Sequence, residues 1–485
     1  MSHEAGGDEM ALRRRHPPTA AALEDEDLLG EILLRVTPLP SSLLRASLVS
    51  KLWGGVATAP SFRRRFVAHH RRPPVLGFFK KGDGELVFTP ILNPPDRIPR
   101  ARFSLRPGGD DEDFSGQFNS WVLLGCRHGR VLIVIRFWPM LLVFHPVSGD
   151  CRSVDIPSDF LQCVRDFSGA VLCAAGDDQG HVHGDCHSCP FKVVLVGTRE
   201  KQDLTVAWVY SSETGMWGDQ VSTTQPCAGL VYHLPGMVNR LPCTLVGNVL
   251  YWLLHGSDNG ILEFDLDSQR LALIERPSSA GINRGNSRII RLEDGSVGLA
   301  VFLYPTFNMW KRKVSSQGVA SWARHKIIDI HKIIGLPRRI KTGKGAIVGY
   351  SEDANAVFIS VSGYLQYYAF IVQLESMQSR KLNQIFFENS YHLFADFYTA
   401  GTVPAIEPTQ QQSIVPAIEP PQLQGGRMIQ LISRIFVCTR YTIFKLLPLY
   451  VSAEHTLYHH ESYENFINSR VIVNVFIGFL HLSRT

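Results

Sequence analysis

Residues 181–189, HVHGDCHSC, crowd His181, His183, Cys186, His187 and Cys189 into nine positions. Imidazole nitrogen and thiolate sulfur are the donors zinc prefers, and Cys186 and Cys189 stand at chelating spacing. A closed zinc site ordinarily takes two such pairs brought together by a folded segment. No second pair with that spacing occurs elsewhere in the chain, so the expectation is a polar connecting loop without metal. Other chemistry is equally unsupported. There is no G-x-S-x-G elbow and no G-x-x-x-x-G-K-[ST] loop, and no spacing singles out a nucleophile with its base. KTGKGAIVG, from Lys341 to Gly349, lacks the spacing of a phosphate loop and reads as a turn entering a strand. Asp265 and His255 stand alone in strand-like contexts, as structural residues do. The chain is therefore expected to be no enzyme, with no catalytic residue, no cofactor and no metal.

The elements that would hold such a loop are β-strands. From Val75 onward apolar and aromatic runs flank Gly, Ser, Asp or Gln turns: LGFFKKGDGELVF about Asp83, LLVFHPVSGDCRSVDI about Gly149 and VAWVYSSETGMW about Thr214. ILEFDLDSQRLALIE about Ser268, WKRKVSSQGVASW about Gln317 and YAFIVQLESMQSRKL about Met377 continue the series. Centres recur every 49 to 66 residues, and six units of one size predict a closed array. A six-bladed, kelch-like β-propeller satisfies this pattern, because a small sheet cannot bury both faces alone and radial stacking buries them. Trp138, Trp217, Trp310 and Trp322 are then blade core or, less often, interface anchors.

Ahead of the strands lies an amphipathic helical stretch. Leu28, Leu29, Ile32, Leu33 and Val36 recur at helical spacing; Thr37-Pro38 stops that helix, and Pro40-Ser41-Ser42 turns into a second, lined by Leu43, Leu44, Ala46 and Val49. A third begins near Ser50, carries Trp53, is weakened by Gly54-Gly55 at about 1 kcal/mol per glycine, and resumes through Ser61. No pocket chemistry lies among them. The stretch looks adhesive.

The order Leu28-Leu29, Glu31-Ile32-Leu33, Arg35, Pro38, Ser42-Leu43, Arg45-Ala46, Leu48-Val49, Lys51 and Trp53 resembles the F-box. The continuation from His69 to Phe79 is similar to a large plant family, especially of grasses, that joins an F-box to a β-rich domain. The resemblance implies a substrate-recognition subunit of a Skp-cullin-F-box ubiquitin ligase. Its partners would be a Skp-type adaptor, through it a cullin, and a protein substrate. Adaptor-binding residues would be Leu28, Leu29, Ile32, Leu33, Pro38, Leu43, Leu44, Val49 and Trp53. The alternatives are a ligase-independent propeller binding protein and, behind it, a propeller enzyme or small-molecule sensor.

The fold class expected is thus α+β multidomain, a three-helix F-box followed by an all-β propeller. The boundaries are a leader at 1–20, the F-box at 21–67, a connector at 68–74, the propeller at 75–400, a Pro/Gln-rich linker at 401–426 and an extension at 427–485. VPAIEP occurs twice in that linker. The run VIVNVFIGFL, Val471 to Leu480, is shorter than a membrane helix requires, so no membrane contact is expected. With 485 residues, 45% hydrophobic and 19% charged, the chain can bury more than one core. A net charge of +5, partly from Arg13-Arg14-Arg15, Arg63-Arg64-Arg65 and Arg71-Arg72, reads as solvated faces without nucleic-acid binding. The acidic residues near the start resemble no targeting peptide, and nine cysteines without a secretory signal imply reduced thiols in cytoplasm or nucleus.

Overall fold

A computed structural model of the chain describes residues 24–399, apart from 83, 106–120, 136–139, 176–180, 184–185, 187, 200–203, 227–229, 235–236, 241, 255–259, 284, 317–319, 337–343, 364–366 and 383–390. The leader, linker and extension expected at 1–20, 401–426 and 427–485 lie outside the described residues. Four helices come first: α1 (Glu26–Leu34), α2 (Ser42–Ser47), α3 (Lys51–Thr58) and α4 (Pro60–His70). Asp25 caps α1, its carboxylate accepting from the N–H groups of Asp27 at 3.0 Å and Leu28 at 2.9 Å. Ser50 caps α3 in the same way through Trp53 N–H at 3.2 Å.

The expected third helix is two. Gly54 and Gly55 do not interrupt α3; the break falls at Ala59, which is extended with φ −60° and ψ 129° because Pro60 follows it and opens α4. α4 then runs to His70, three residues into the expected connector, where Arg71 turns left-handed. Leu29, Leu33, Leu34, Leu43, Ala46, Ala57, Phe62 and Phe66 fill the core between the helices.

Six antiparallel sheets follow, and they form a six-bladed β-propeller. β1 (Val75–Lys81) and β2 (Leu86–Pro90) begin the strand region. Blade one is β3 (Trp121–Arg127), β4 (Arg130–Ile135), β5 (Met140–Phe144) and β6 (Cys151–Asp155). Blade two is β7 (Val164–Cys173), β8 (Phe191–Arg199), β9 (Leu204–Ser211) and β10 (Met216–Trp217), with β11 (Val221–Pro226) also paired to β9. A separate hairpin, β12 (Val231–Leu234) with β13 (Met237–Arg240), precedes blade three.

Blade three is β14 (Thr244–Val246), β15 (Val249–Leu253), β16 (Gly260–Asp265) and β17 (Arg270–Glu275). Blade four is β18 (Ser287–Arg291), β19 (Val297–Leu303), β20 (Thr306–Val314) and β21 (Ala320–Asp329). Blade five is β22 (Lys344–Ser351), β23 (Ala356–Ser362), β24 (Tyr367–Gln373) and β25 (Ser379–Leu382). Blade six joins the two ends of the domain: β26 (His392–Ala395) pairs antiparallel with β1, and β1 with β2. Five of the six sequence turns are the hairpins between third and fourth strands of blades one to five. The turn about Asp83, a residue outside the described ones, instead falls between β1 and β2 of the closing blade.

The blades stack through apolar layers. Every residue of β4 is buried, as a strand packed on both faces must be. Leu132 and Leu141 of blade one meet Val193 and Leu195 of blade two. Phe302 and Phe307 of blade four meet Val357 and Phe370 of blade five. Phe79, Phe88 and Phe394 of blade six meet Trp121 and Ile133 of blade one, and Phe78 sits 5.6 Å from Phe358 of blade five. Two of the tryptophans are staples between blades. Trp217 Nε1 donates to Asp155 O and Trp322 Nε1 to Glu275 O, each at 2.8 Å and each onto the last strand of the preceding blade.

The chain that follows β26 also meets the helices. Phe397, Tyr398 and Thr399 share a groove with Pro38, Leu39, Leu43, Phe66 and Val67, and Ser41 N–H donates to Asp96 Oδ1 at 2.9 Å. One short terminal strand therefore closes the ring and seats the helical unit. A chain ending at residue 401 should melt as one cooperative transition like the full chain, whereas one ending at 390 should lose it, because its sixth blade lacks the strand between blades five and one. Equal melting of both truncations, followed by circular dichroism, would refute this role for β26.

Candidate functional site

The helices expose what their own core does not use. Of nine large apolar side chains exposed among the described residues, four lie within residues 28–49: Leu28 at 44%, Ile32 at 39%, Leu48 at 77% and Val49 at 62%. Leu28 and Ile32 stand one turn apart on α1, and Leu48 and Val49 follow α2 directly. Two pairs of large apolar side chains left in water on so small a helical unit are candidates for contact with a partner. Charge borders them: Arg35 and Arg65 both pair with Glu31, the latter at 2.6 Å.

The nine residues that the resemblance implies for adaptor binding differ in burial. Leu29, Leu33 and Leu43 are buried in the core of the helical unit itself, at 0%, 1% and 7% exposure. Pro38, Leu44 and Trp53 are half-buried, Pro38 in the groove against Phe397 and Tyr398. Leu28, Ile32 and Val49 remain outward. Leu48, the most exposed of all, was not singled out by periodicity, although its place beside Val49 past the last turn of α2 marks it. An aspartate at Leu33 would thus damage the helical fold before it tested any surface.

A second concentration of function-like groups lies where the inner strands of the propeller end. Arg127, the last residue of β3, forms a bidentate pair with Glu352, with Nε to Oε2 at 2.5 Å and Nη2 to Oε1 at 2.7 Å. Both side chains are nearly buried, at 7% and 12% exposure. Arg127 Nη2 also donates to Cys243 O at 3.0 Å, Nη1 reaches Val171 O at 3.5 Å, and Glu352 Oε1 accepts from Leu245 N–H at 2.6 Å. Blades one, two, three and five are tied by one ion pair. The surrounding cavity, lined by Gly125, Gly169, Tyr350 and His392 among others, measures only about 20 Å³, room for about one water. His392 there is held neutral, burial first and then Arg288 lowering it to about 3.

The β3–β4 turn carries His128 (φ 51°) and Gly129 (φ 72°), the two positive angles of a tight hairpin turn. A Cβ on Gly129 would come within 2.8 Å of Asp396 Oδ2, so only glycine fits. His128 accepts the Cys173 N–H on Nδ1 at 3.0 Å, which leaves its proton on Nε2, 3.7 Å from Asp353 Oδ1. Burial, with His183 second, keeps His128 well below the usual histidine range. Burial and the neighbouring Glu352 push Asp353 up to about 6.

The Cys/His segment lies against this turn, in the connection from β7 to β8. His181, His183 and Cys186 converge there on Cys173, the last residue of β7, with all four donor atoms within 4.8 Å of one another. Cys189, which stands at chelating spacing from Cys186 in the sequence, is not in that group. His187 lies outside the described residues. Cys173 escaped the spacing argument because a strand end supplies it eight residues before His181. Its thiol is drawn well below its ordinary value, first by the hydrogen bond with Cys186, against burial and with His183 assisting. No helix among the described residues is long and apolar enough to cross a membrane.

No family model matches the chain. A protein of Arabidopsis thaliana named as an F-box protein is 45% identical to it over 64 residues, 13% of this chain and 15% of the relative. The N-terminal domain of Nup159 resembles 67% of this chain over 80% of its own, at 10% identity and a TM-score of 0.28. The Dos1 propeller does so over 67% and 87%, at 10% identity and a TM-score of 0.28. A quinoprotein alcohol dehydrogenase-like protein of Bacteroides thetaiotaomicron does so over 66% and 76%, at 8% and a TM-score of 0.31. Likenesses this distant carry no argument about activity.

The Arg127–Glu352 pair yields a stability test. Arg127→Ala should cost about 3–5 kcal/mol, because it leaves a nearly buried carboxylate unpaired, and should lower the melting temperature by roughly 10 °C. Arg127→Met combined with Glu352→Leu should recover part of that loss, since no charge is stranded. A single-mutant cost under about 1 kcal/mol, the range of a surface pair, would refute the tie.

Proposed function

We propose that the chain is the substrate-receiving subunit of a Skp-cullin-F-box ubiquitin ligase. Residues 26–58 seat on a Skp-type adaptor, and the propeller holds the protein to be modified. The observation that carries this reading is the exposure of Leu28, Ile32, Leu48 and Val49 on a helical unit whose own core is already complete. A surface that needs a partner to leave water is what an adaptor-docking helix set requires. The likeness to an Arabidopsis F-box protein supports the same assignment.

Such a receptor breaks no bond. It raises the concentration of its substrate near a conjugating enzyme held elsewhere in the complex, and a rigid seat between helices and propeller keeps that concentration high. The groove shared by Leu43, Phe66 and Phe397 is where such a seat would form. The cavity beside Arg127, about 20 Å³, is far smaller than the roughly 300 Å³ at which small-molecule clefts begin, which favours recognition of a macromolecule on the loops. The assembly would act in the cytoplasm or nucleus.

Burying a large apolar side chain is worth about 1.5–3 kcal/mol, and an aspartate in its place adds a desolvation cost. Ile32→Asp and Leu48→Asp should each weaken Skp-adaptor binding at least about a hundredfold, since each 1.4 kcal/mol is about tenfold. Their melting temperatures should match the parent, and Met216→Asp, on an exposed blade edge, should bind adaptor normally. Titration by calorimetry decides: unaltered binding in both helix mutants, or none by the parent, contradicts the proposal.

A further inference from the structure

We propose that Cys173, His181, His183 and Cys186 form a structural zinc site that fastens the β7–β8 connection to the propeller. The inference is independent of the ligase reading. Cys173 Sγ lies 3.4 Å from His181 Nε2, Cys186 Sγ lies 3.4 Å from the same nitrogen, and Cys186 Sγ lies 3.6 Å from His183 Nδ1. A zinc ion about 2.3 Å from sulfur and about 2.0–2.1 Å from nitrogen sets a tetrahedral sulfur-to-nitrogen edge of about 3.6 Å. Three of the six donor–donor edges match that length to within about 0.2 Å, and all four donor atoms lie within 4.8 Å of one another.

The donor set fits zinc chemically as well. Two thiols and two imidazoles in a tetrahedron select zinc over the hard cations, which take oxygen. Both cysteines bind as thiolates, any thiol proton still held passes to solvent, and the two negative charges cancel the charge of the ion. A neutral centre can then sit where Cys186 is 1% exposed without stranding charge. Four protein ligands leave no open position for water, so the site is structural rather than catalytic.

The groups behind the ligands are built to hold them. The His183 ring stacks on His128 at 3.7 Å and 10°. His128 in turn is fixed by the Cys173 N–H at 3.0 Å and by Asp353 on its other side. Arg130, itself 3% exposed, donates from Nη2 to Cys186 O and Cys189 O, each at 2.6 Å, and so clamps the turn that presents Cys186. Ala174 N–H closes the base of the loop on Pro190 O at 2.8 Å. Ligand-orienting contacts of this kind are the usual companions of a metal centre. The sequence expectation of a metal-free loop assumed the pair Cys186 and Cys189, whereas the strand end substitutes Cys173 for Cys189.

The test uses the full chain, purified without chelator, incubated with zinc chloride and passed through gel filtration. Elemental analysis should find one zinc per chain. Cys189→Ser should keep that zinc, while Cys173→Ser and Cys186→Ser should each lose at least four-fifths of it. Should those two variants fail to fold, the parent loaded with cobalt decides: intense visible bands of a tetrahedral thiolate-bound ion support the site. A parent chain with no retained zinc, a cobalt spectrum of octahedral type, or zinc lost in Cys189→Ser but kept in Cys173→Ser overturns it.

Discussion

The Arg127–Glu352 ion pair is the contact on which the centre of the propeller depends. Blades bury their faces against neighbours, but their inner strands leave backbone groups near the axis that need partners. Arg127 answers several at once, reaching Val171 O, Cys243 O and the carboxylate that also accepts Leu245 N–H. A guanidinium suits the task because its planar fork meets a carboxylate with two bonds and still has donors to spare. Each member of the pair offsets the other's charge, and the turn that begins immediately after Arg127 brings His128 against His183 of the Cys/His loop. A single residue at the end of β3 thus ties four blades together and leads into the floor of the proposed zinc site.

Closure at the other level is made by β26. It supplies the inner strand of blade six, and the residues after it line a groove together with Leu43, Phe66 and Val67 of the helical unit. The helices therefore stand on the seam of the ring. Arg72 pairs with Glu375 beside the same junction. Because the helices meet the chain beside the most long-range joint in the fold, the surface carrying Leu28, Ile32, Leu48 and Val49 stands on the side of the molecule where the ring closes.

Much of this was legible from local pattern. Period-two runs around Gly149, Thr214, Ser268, Gln317 and Met377 mark the outer hairpin of each of five blades, since those hairpins are short and use turn residues. The sixth blade was harder to read because its strands come from both ends of the domain. Helix identity was legible from apolar spacing, but inside and outside were not: Leu28 and Leu29 look alike in sequence, and only packing decides that one faces water. Gly54-Gly55 suggested a break that tertiary contacts override, while Pro60, which lacks an N–H and restricts Ala59, makes the real one. Arg127 and Glu352 are 225 residues apart, and nothing local announces their meeting. Cys173 was hidden for a related reason, being the end of a strand rather than part of the loop it completes.

The central claim is that the helical unit, held on a closed propeller, is the part of the chain that takes an adaptor. Hydrogen–deuterium exchange with and without a Skp-type adaptor measures this directly on the intact chain. The account predicts new protection across residues 26–58, which the adaptor covers, and unchanged exchange in the strands of blades one to five. Protection confined to the propeller, or no change at any saturating adaptor concentration, would contradict it.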